Sequence, residues 1–371
     1  MPATLTTWSD LGARLAEARK AARLSQAELA AAIDLERTAV TKLEAGERKL
    51  DSLELARVAR VLKRPIDWFV TPSLPAVVSR RRSREAIEES QADVLLDSLA
   101  RDVQLLVDLN LLQPRQVARP GALEDVASAE AAARELREVL GVTVGPVWDL
   151  LSLAERTGLH AFSIDLRDES LDGSYVRLEN AGVALVNGGP QTPRRRFTLV
   201  HELGHHLFAD DYSPEWIVGT VGDGRERLIN AFVIHFLMPR EAVLPRWQLL
   251  DGGRDARLAA IALGAEFGVS WTAVLAQLCN LELIDAMTRE RLERERPTKA
   301  DYLEGGIVLR EDLAPPAFAP RFAQAVVRGY KRHKISAPRA IELLRDTITA
   351  ADLPPEDKVP RESMRAQFAL D

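Results

Sequence analysis

Cysteine is nearly missing: Cys279 stands alone among 371 residues. One thiol makes no intrachain disulfide and builds no cysteine-rich zinc module, and it fits a reducing cytoplasm. Long apolar runs are missing as well. No stretch approaches the ~20 residues of a membrane span. The opening residues, MPATLTTWSD, lack the basic and apolar regions of a secretory signal, so neither is expected. There is no excess of positive charge, the net being -6, so the chain as a whole does not attract nucleic acid and any DNA contact must come from a local face. No internal repeat is visible. What remains is an ordinary globular composition, 46 % hydrophobic and 28 % charged. The length exceeds what one core usually serves, so two or three domains are expected.

Four segments follow from periodicity and turn signals. Residues 1–71 hold short helical patterns with tight turns. Residues 72–122 begin TPSLP, pass an arginine cluster (Arg80, Arg81, Arg82, Arg84) and a long helical stretch, and read as a helical linker. Residues 123–250 mix helices with the only convincing strands, at 159–166, 173–179 and 182–187, bounded by Asp-Gly, Asn-Ala-Gly and Asn-Gly-Gly. Residues 251–371 return to helical patterns. The expected fold class is therefore multidomain: an all-α N-terminal domain, an α+β central domain and a helical C-terminal region.

In the first segment, LSQAELAAAIDLERTAVTKLEAGERKL reads as two short helices joined by a tight turn at Asp34-Leu35. Ser25 and Glu28 form an S-x-x-E capping box. Leu29, Ala30 and Ile33 face inward on one helix, Val40 and Leu43 on the next, and Gly46 is a left-handed stop. Asp51 with Glu54 opens a further helix with an apolar stripe of Leu53, Leu55, Val58 and Leu62. A helix pair with so short a turn can lay its second helix in the major groove. Residues 11–70, through S-Q-x-E-L-A and L-E-x-G, resemble the XRE (Cro/CI-type) helix-turn-helix family. The resemblance implies operator DNA as a partner. It puts Arg37, Thr38, Thr41 and Lys42 on the exposed face of the recognition helix, suited to guanine edges and thymine methyls, and Gln26 on a phosphate. It also leaves a homodimer open, with half-sites about one DNA turn apart. Against DNA, residues 1–70 hold 12 Lys+Arg and 10 Asp+Glu, a weak electrostatic case; a bundle that binds a protein instead keeps the same shape.

The second motif lies in RRRFTLVHELGHHLF, which holds three of the six histidines. On a helix, positions i and i+4 share a face, so His201 and His205 can grip one metal ion with Glu202 beside it. H-E-x-x-H is the arrangement in which zinc lowers the pKa of a water and a glutamate takes its proton. The bland alternative is a helix with surface histidines. Thr192-Pro193 starts the helix; Phe197, Val200 and Leu207 can pack it, and Gly204 admits a close neighbour. A catalytic zinc needs a third protein ligand. Glu226, 21 residues beyond His205 in GDGRERLINAFVIHFLMP, is a candidate, with Asn230 one turn on to hold a ligand imidazole. Asp223-Gly-Arg-Glu226 is also a capping box, in which Glu226 would only cap its own helix.

Residues 132–247 resemble the ImmA/IrrE family of metallo-endopeptidases. The resemblance rests on Arg196-Phe-Thr-Leu-Val-His-Glu-Leu-Gly-His205, Glu226, Asn230-Ala-Phe232, Leu237-Met-Pro239 and the preceding Leu185-Val-Asn187. It implies a zincin-like domain with Zn2+ on His201, His205 and Glu226 and Glu202 as general base. Leu228, Ile229, His206 and His235 depart from the usual pattern. Tyr175 and His235 are candidates to stabilise an oxyanion, or simply packed side chains.

In the last segment, residues 259–284 resemble the helical tail that often follows such a peptidase domain, and YKRHKISAPRAIELL is a basic turn before a helix; neither carries chemistry. Two functions follow. One is a cytoplasmic DNA-binding regulator whose zinc peptidase domain cleaves a regulatory protein, which the resemblance suggests is a helix-turn-helix repressor. The other is a non-proteolytic antitoxin that represses its own operon and binds a toxin through its zincin-like domain.

Overall fold

Capping side chains explain where the N-terminal helices begin. In the computed structural model, α1 (Trp8–Ala21), α2 (Gln26–Ala32), α3 (Arg37–Glu44), α4 (Ser52–Val61) and α5 (Ile66–Val70) follow in quick succession. At α2 the Ser25 hydroxyl accepts from the Glu28 N–H at 3.1 Å, and the Glu28 carboxylate accepts from the Ser25 N–H at 2.7 Å. Asp51 and Glu54 repeat the arrangement at α4, at 2.7 and 3.2 Å. Two orphan donors are satisfied each time. The helices close over Leu15, Leu29, Ile33, Val40, Leu43, Val58 and Phe69. Leu53 departs from its expected place in the apolar stripe and stands 74 % exposed, at the solvent side of the first turn of α4.

The described residues are 7–62, 64, 66–70, 77–82, 91–113, 115, 121–167, 171–208, 222–250 and 254–357. Arg84 of the arginine cluster, all of TPSLP and most of QPRQVARPG lie outside them. The chain falls into two units, Met1–Ala76 with Arg84–Arg101, and Val77–Ser83 with Asp102–Asp371.

The second unit is built on a mixed sheet. Its elements are β1 (Val77–Arg82), α6 (Gln91–Asp108, which the division cuts at Arg101), α7 (Val126–Val139), α8 (Leu150–Arg156), β2 (Leu159–Ile164), β3 (Leu171–Arg177), β4 (Gly182–Asn187), α9 (Thr192–Phe208), α10 (Gly222–Leu237), α11 (Arg240–Leu249), α12 (Ala256–Phe267), α13 (Trp271–Asn280), α14 (Ala286–Arg294), α15 (Lys299–Glu304), β5 (Ala317–Phe318), α16 (Pro320–Lys331) and α17 (Ala337–Leu343). The strand order is β1-β3-β4-β2-β5. β3 and β4 run antiparallel, β2 and β4 parallel, and the two outer strands antiparallel to their neighbours. The expectation that every strand falls within 123–250 is corrected here: β1 comes from the presumed helical linker and β5 from the helical C-terminal region. Val77-Val78-Ser79 before three arginines lacks the turn punctuation of a hairpin, and β5 is two residues long, so neither has a pattern of its own.

β4 is buried on both faces, as its unbroken run Gly182–Asn187 suggests. α9 lies across β3 and β4, and α10 packs on α7 and α9. Leu199, Val200, Leu203, Phe232, Phe236, Leu263 and Leu278 belong to the resulting core. Among the described residues no single helix is long and apolar enough to cross a membrane.

Candidate metal centre

α9 is held by charge as well as by apolar packing. Arg196 is wholly buried. Its guanidinium donates to the carbonyls of Gly268 at 3.0 Å, Val147 at 2.6 Å and Phe267 at 3.2 Å, and pairs with Asp312. The Trp148 ring lies 4.3 Å from its Cζ. Burial pulls the Arg196 pKa below the ordinary guanidinium value while Asp312 opposes the shift. Arg195 donates to Thr192 at 2.7 Å and to Glu311 at 2.6 Å, and Thr192 itself donates to Glu311. Thr192 thus ties the helix start to a distant loop. Paired and hydrogen-bonded, these charges fix the first half of α9 in one position.

One turn further along, α9 presents its histidines to α10. A side chain at Gly204 would place its Cβ 2.8 Å from Ile229 Cγ2, closer than real contacts come, so glycine is what lets α10 approach. The approach brings Glu226 to the histidines: its carboxylate oxygens lie 3.3 Å from His201 Nε2 and 3.4 Å from His205 Nε2. The two Nε2 atoms are 3.0 Å apart. His201 and His205 are buried, whereas the Glu226 side chain is 46 % exposed. Glu226 lies inside α10, which begins at Gly222. The side chain of Asp223, the other half of the competing capping box, lies outside the described residues.

This donor set fits a small tetrahedral cation. Zinc–nitrogen bonds of about 2.0–2.1 Å put two ligand atoms of one site roughly 3.3 Å apart, close to the three separations found. The ring orientation agrees. His201 Nδ1 is 3.1 Å from Asn230 Oδ1, an acceptor, so Nδ1 carries the proton and Nε2 keeps its lone pair toward the cluster. Phe197 stacks on the His201 ring at 6.4 Å between centroids, adding an apolar wall on the other side.

Glu202 is on the same helix, buried, beside β3. A Cβ built on Gly173 would fall 3.0 Å from Glu202 Oε1 and 2.5 Å from Thr198 Cγ2. Only glycine lets the β3 backbone run this close to the carboxylate. Two residues on, on the same face of the strand, Tyr175 meets His206, which is one turn beyond Glu202. The Tyr175 hydroxyl lies 3.0 Å from His206 Nδ1, and His206 Nε2 lies 3.1 Å from the Thr157 carbonyl. A carbonyl only accepts, so Nε2 carries the imidazole proton and Nδ1 accepts from Tyr175.

This geometry gives both oxyanion candidates partners of their own. The Tyr175 proton is engaged by His206, and its ring is part of the core. His235 is nine residues past Glu226 on α10, roughly 13 Å along the axis at about 1.5 Å per residue. There it accepts from Gln277 Nε2 at 3.3 Å and sits 4.0 Å from Glu130. Burial pushes its pKa below the usual imidazole value against the raising effect of Glu130. The spare imidazoles, His206 and His235, are thus hydrogen-bonded within the fold. Sequence reasoning also passed over Arg195, Arg196 and Gly173. The signal for the arginines was available, since charged residues in the first turns of a helix that packs on a sheet have to find partners.

In the N-terminal unit, Arg37, Thr38, Thr41 and Lys42 are all exposed on α3, opposite the buried Val40 and Leu43. Gln26 does not stand free. Its amide donates to Glu44 at 2.8 Å and accepts from the Thr41 hydroxyl at 3.1 Å, while Arg19 grips the same Glu44 at 2.6 and 3.1 Å. α2 and α3 are therefore locked at the angle that presents the exposed row.

Comparison with known families places names on both regions. Residues 154–278 match the IrrE N-terminal-like domain of the Peptidase_M78 family, and residues 15–69 match the Helix-turn-helix family. No curated protein matches the chain. Among solved structures it is similar to the apo form of the competence regulator ComR from Streptococcus vestibularis, at 14 % identity over 98 % of each chain with a TM-score of 0.16. A likeness that loose carries no argument.

Proposed function

Because the chain joins an XRE-type helix-turn-helix domain to an ImmA/IrrE-type domain of a metallopeptidase family, we propose that it is a cytoplasmic DNA-binding regulator whose second unit is a zinc-dependent endopeptidase acting on a regulatory protein, a helix-turn-helix repressor by preference. The observation that carries the reading is the convergence of His201, His205 and Glu226 within 4.8 Å of one another, with Glu202 on the same helix. A purely structural metal has no use for the adjacent carboxylate.

The division of labour follows from the residues. His201, His205 and Glu226 are the ligands, and Asn230 sets the tautomer of His201. A bound zinc ion supplies Lewis acidity and lowers the pKa of a water at an open position. Glu202 accepts the proton of the attacking water and returns it to the departing amine. Gly173 lets the β3 backbone run close beside the Glu202 carboxylate, which is carried by α9 and not by a loop. In the first unit, Arg37, Thr38, Thr41 and Lys42 read an operator while Gln26, braced by Glu44, sets the angle of α3 against the phosphates.

The test pairs metal content with cleavage. Purified protein should hold about one zinc per chain by mass spectrometry, and His205→Ala should lose it. Glu202→Gln should keep the zinc and lose cleavage of casein or of repressors encoded nearby by about 10²–10⁴-fold, the range for general-base groups. Undiminished cleavage by Glu202→Gln would overturn the mechanism. No zinc in any form, after reconstitution, would leave the antitoxin reading, in which this domain only binds a toxin.

A further inference from the structure

The site just described has an occupied edge. β3 carries two ladders. On one side it pairs with β4 from Gly173 to Arg177. On the other it pairs antiparallel with β1, from Val77 opposite Arg177 to Arg81 opposite Gly173, with a register shift between Arg81 and Arg82. Gly173 is the residue whose missing side chain brings the β3 backbone to Glu202. The stretch of β1 level with the proposed proton acceptor is therefore around Arg81. An extended polypeptide that is to pass beside Glu202 gains its backbone hydrogen bonds by adding to this edge of β3. β1 already holds those bonds. In sequence it is a short, isolated contribution, Val77–Ser83, to a unit that otherwise runs Asp102–Asp371, so the sheet can lose it without breaking the chain path through β2, β3 and β4.

We propose that the β3 edge beside Glu202 is where the site takes an extended polypeptide, and that residues 77–82 of the same chain fill that edge as a tethered competitor, so that a substrate reaches Glu202 only when β1 is displaced. This rests on the endopeptidase reading for its consequence, though not for the binding itself. Because the strand belongs to the same chain, its effective concentration at this edge is on the order of millimolar, so a free polypeptide at micromolar concentration competes poorly. The regulator is latent by construction, and whatever draws residues 77–82 away from β3 switches it on.

Two variants of the full chain test the proposal. In the first, Val78→Pro and Ser79→Pro are combined; neighbouring residues of a strand direct their N–H groups to opposite sides, so one of the two must lose a donor toward β3. In the second, residues 77–82 are replaced by six Gly and Ser residues, which keeps the tether length if the prolines harm folding. The probe is a fluorescent hexapeptide, VVSRRR, read by anisotropy on zinc-loaded protein. Both variants should bind it and the wild type should not, and both should cleave casein at least tenfold faster than wild type. Equal peptide binding by wild type and variants, binding by none, or a wild-type cleavage rate that is measurable and unchanged in variants that bind peptide, each overturns the proposal. So does self-cleavage of the wild type within 77–82, which would make the strand a substrate. Peptide binding by the variants with no cleavage by any form sinks the endopeptidase reading and leaves the edge assignment standing.

Discussion

In α3 the polar side chains that would meet a ligand stand in solvent, and the helix is held by a small apolar core beneath them. In α9 the polar side chains are inside, at 1 % exposure for His201 and Glu202 and 3 % for His205. The first arrangement separates recognition from stability: Arg37, Thr38 and Lys42 can change without disturbing the fold, and only Thr41 of the row is tied back, to Gln26. The second couples them, because every buried polar group on α9 needs a partner and the partners are also what aim the site. Nature of contact, more than fold class, decides what a substitution in each region does.

The coupling should fail most severely at Arg196. Arg196→Met keeps much of the volume but leaves Asp312 and the carbonyls of Gly268, Val147 and Phe267 without their donor. Breaking a buried pair from one side costs about 3–5 kcal/mol. Amide exchange should accelerate through α9 and the neighbouring strands while the protection of α1–α4 stays as in the wild type. Equal loss in both units would mean that the two regions do not differ in the way argued here.

The converse substitution lies in the recognition helix. Arg37→Ala removes an exposed side chain and should leave stability within about 0.5 kcal/mol of wild type. Binding to DNA from upstream of the protein's own reading frame should weaken by about 1–3 kcal/mol, the value of a specific base contact, while binding to a random duplex should change much less. If both duplexes weaken alike, Arg37 touches phosphate and not a base. If neither duplex is bound by the wild type, the exposed row of α3 serves a protein partner.

What could be read beforehand divides along the same line. Capping boxes are local, so Ser25–Glu28 and Asp51–Glu54 were legible, as were the exposed row of α3 and the i, i+4 histidines. The three inner strands were legible because turn residues bound them. The rest depends on partners far away in sequence. Asp312 meets Arg196 across 116 positions, and β1 meets β3 across 89 to 100; no periodicity announces either. His235 and Tyr175 looked chemical because their residue types are scarce and versatile, and only the folded chain shows that Gln277, Glu130 and His206 stand around them. Glu226 is the intermediate case: the need for a third ligand suggested it, and the capping-box alternative could be weighed only once α10 was seen to begin at Gly222.

His235 offers the finest test of the comparison, because it is a buried polar group of the second unit set nine residues along α10 from Glu226. Its pKa is lowered, chiefly by burial, with Glu130 and Glu241 raising it and Arg240 lowering it. A histidine whose folded-state value lies below its unfolded value stabilises the fold in its neutral form. That contribution is complete above the unfolded value of about 6.5 and is lost as pH falls through it toward the folded value. The melting temperature of the wild type should therefore drop more steeply between about pH 7 and pH 5 than that of His235→Gln, whose amide keeps a partner for Gln277 and does not titrate. Every other histidine is common to both proteins, so the difference between the two curves belongs to His235. Parallel curves would show that Gln277 and Glu130 accept the protonated ring without penalty, and that burial on α10 is more forgiving than burial on α9.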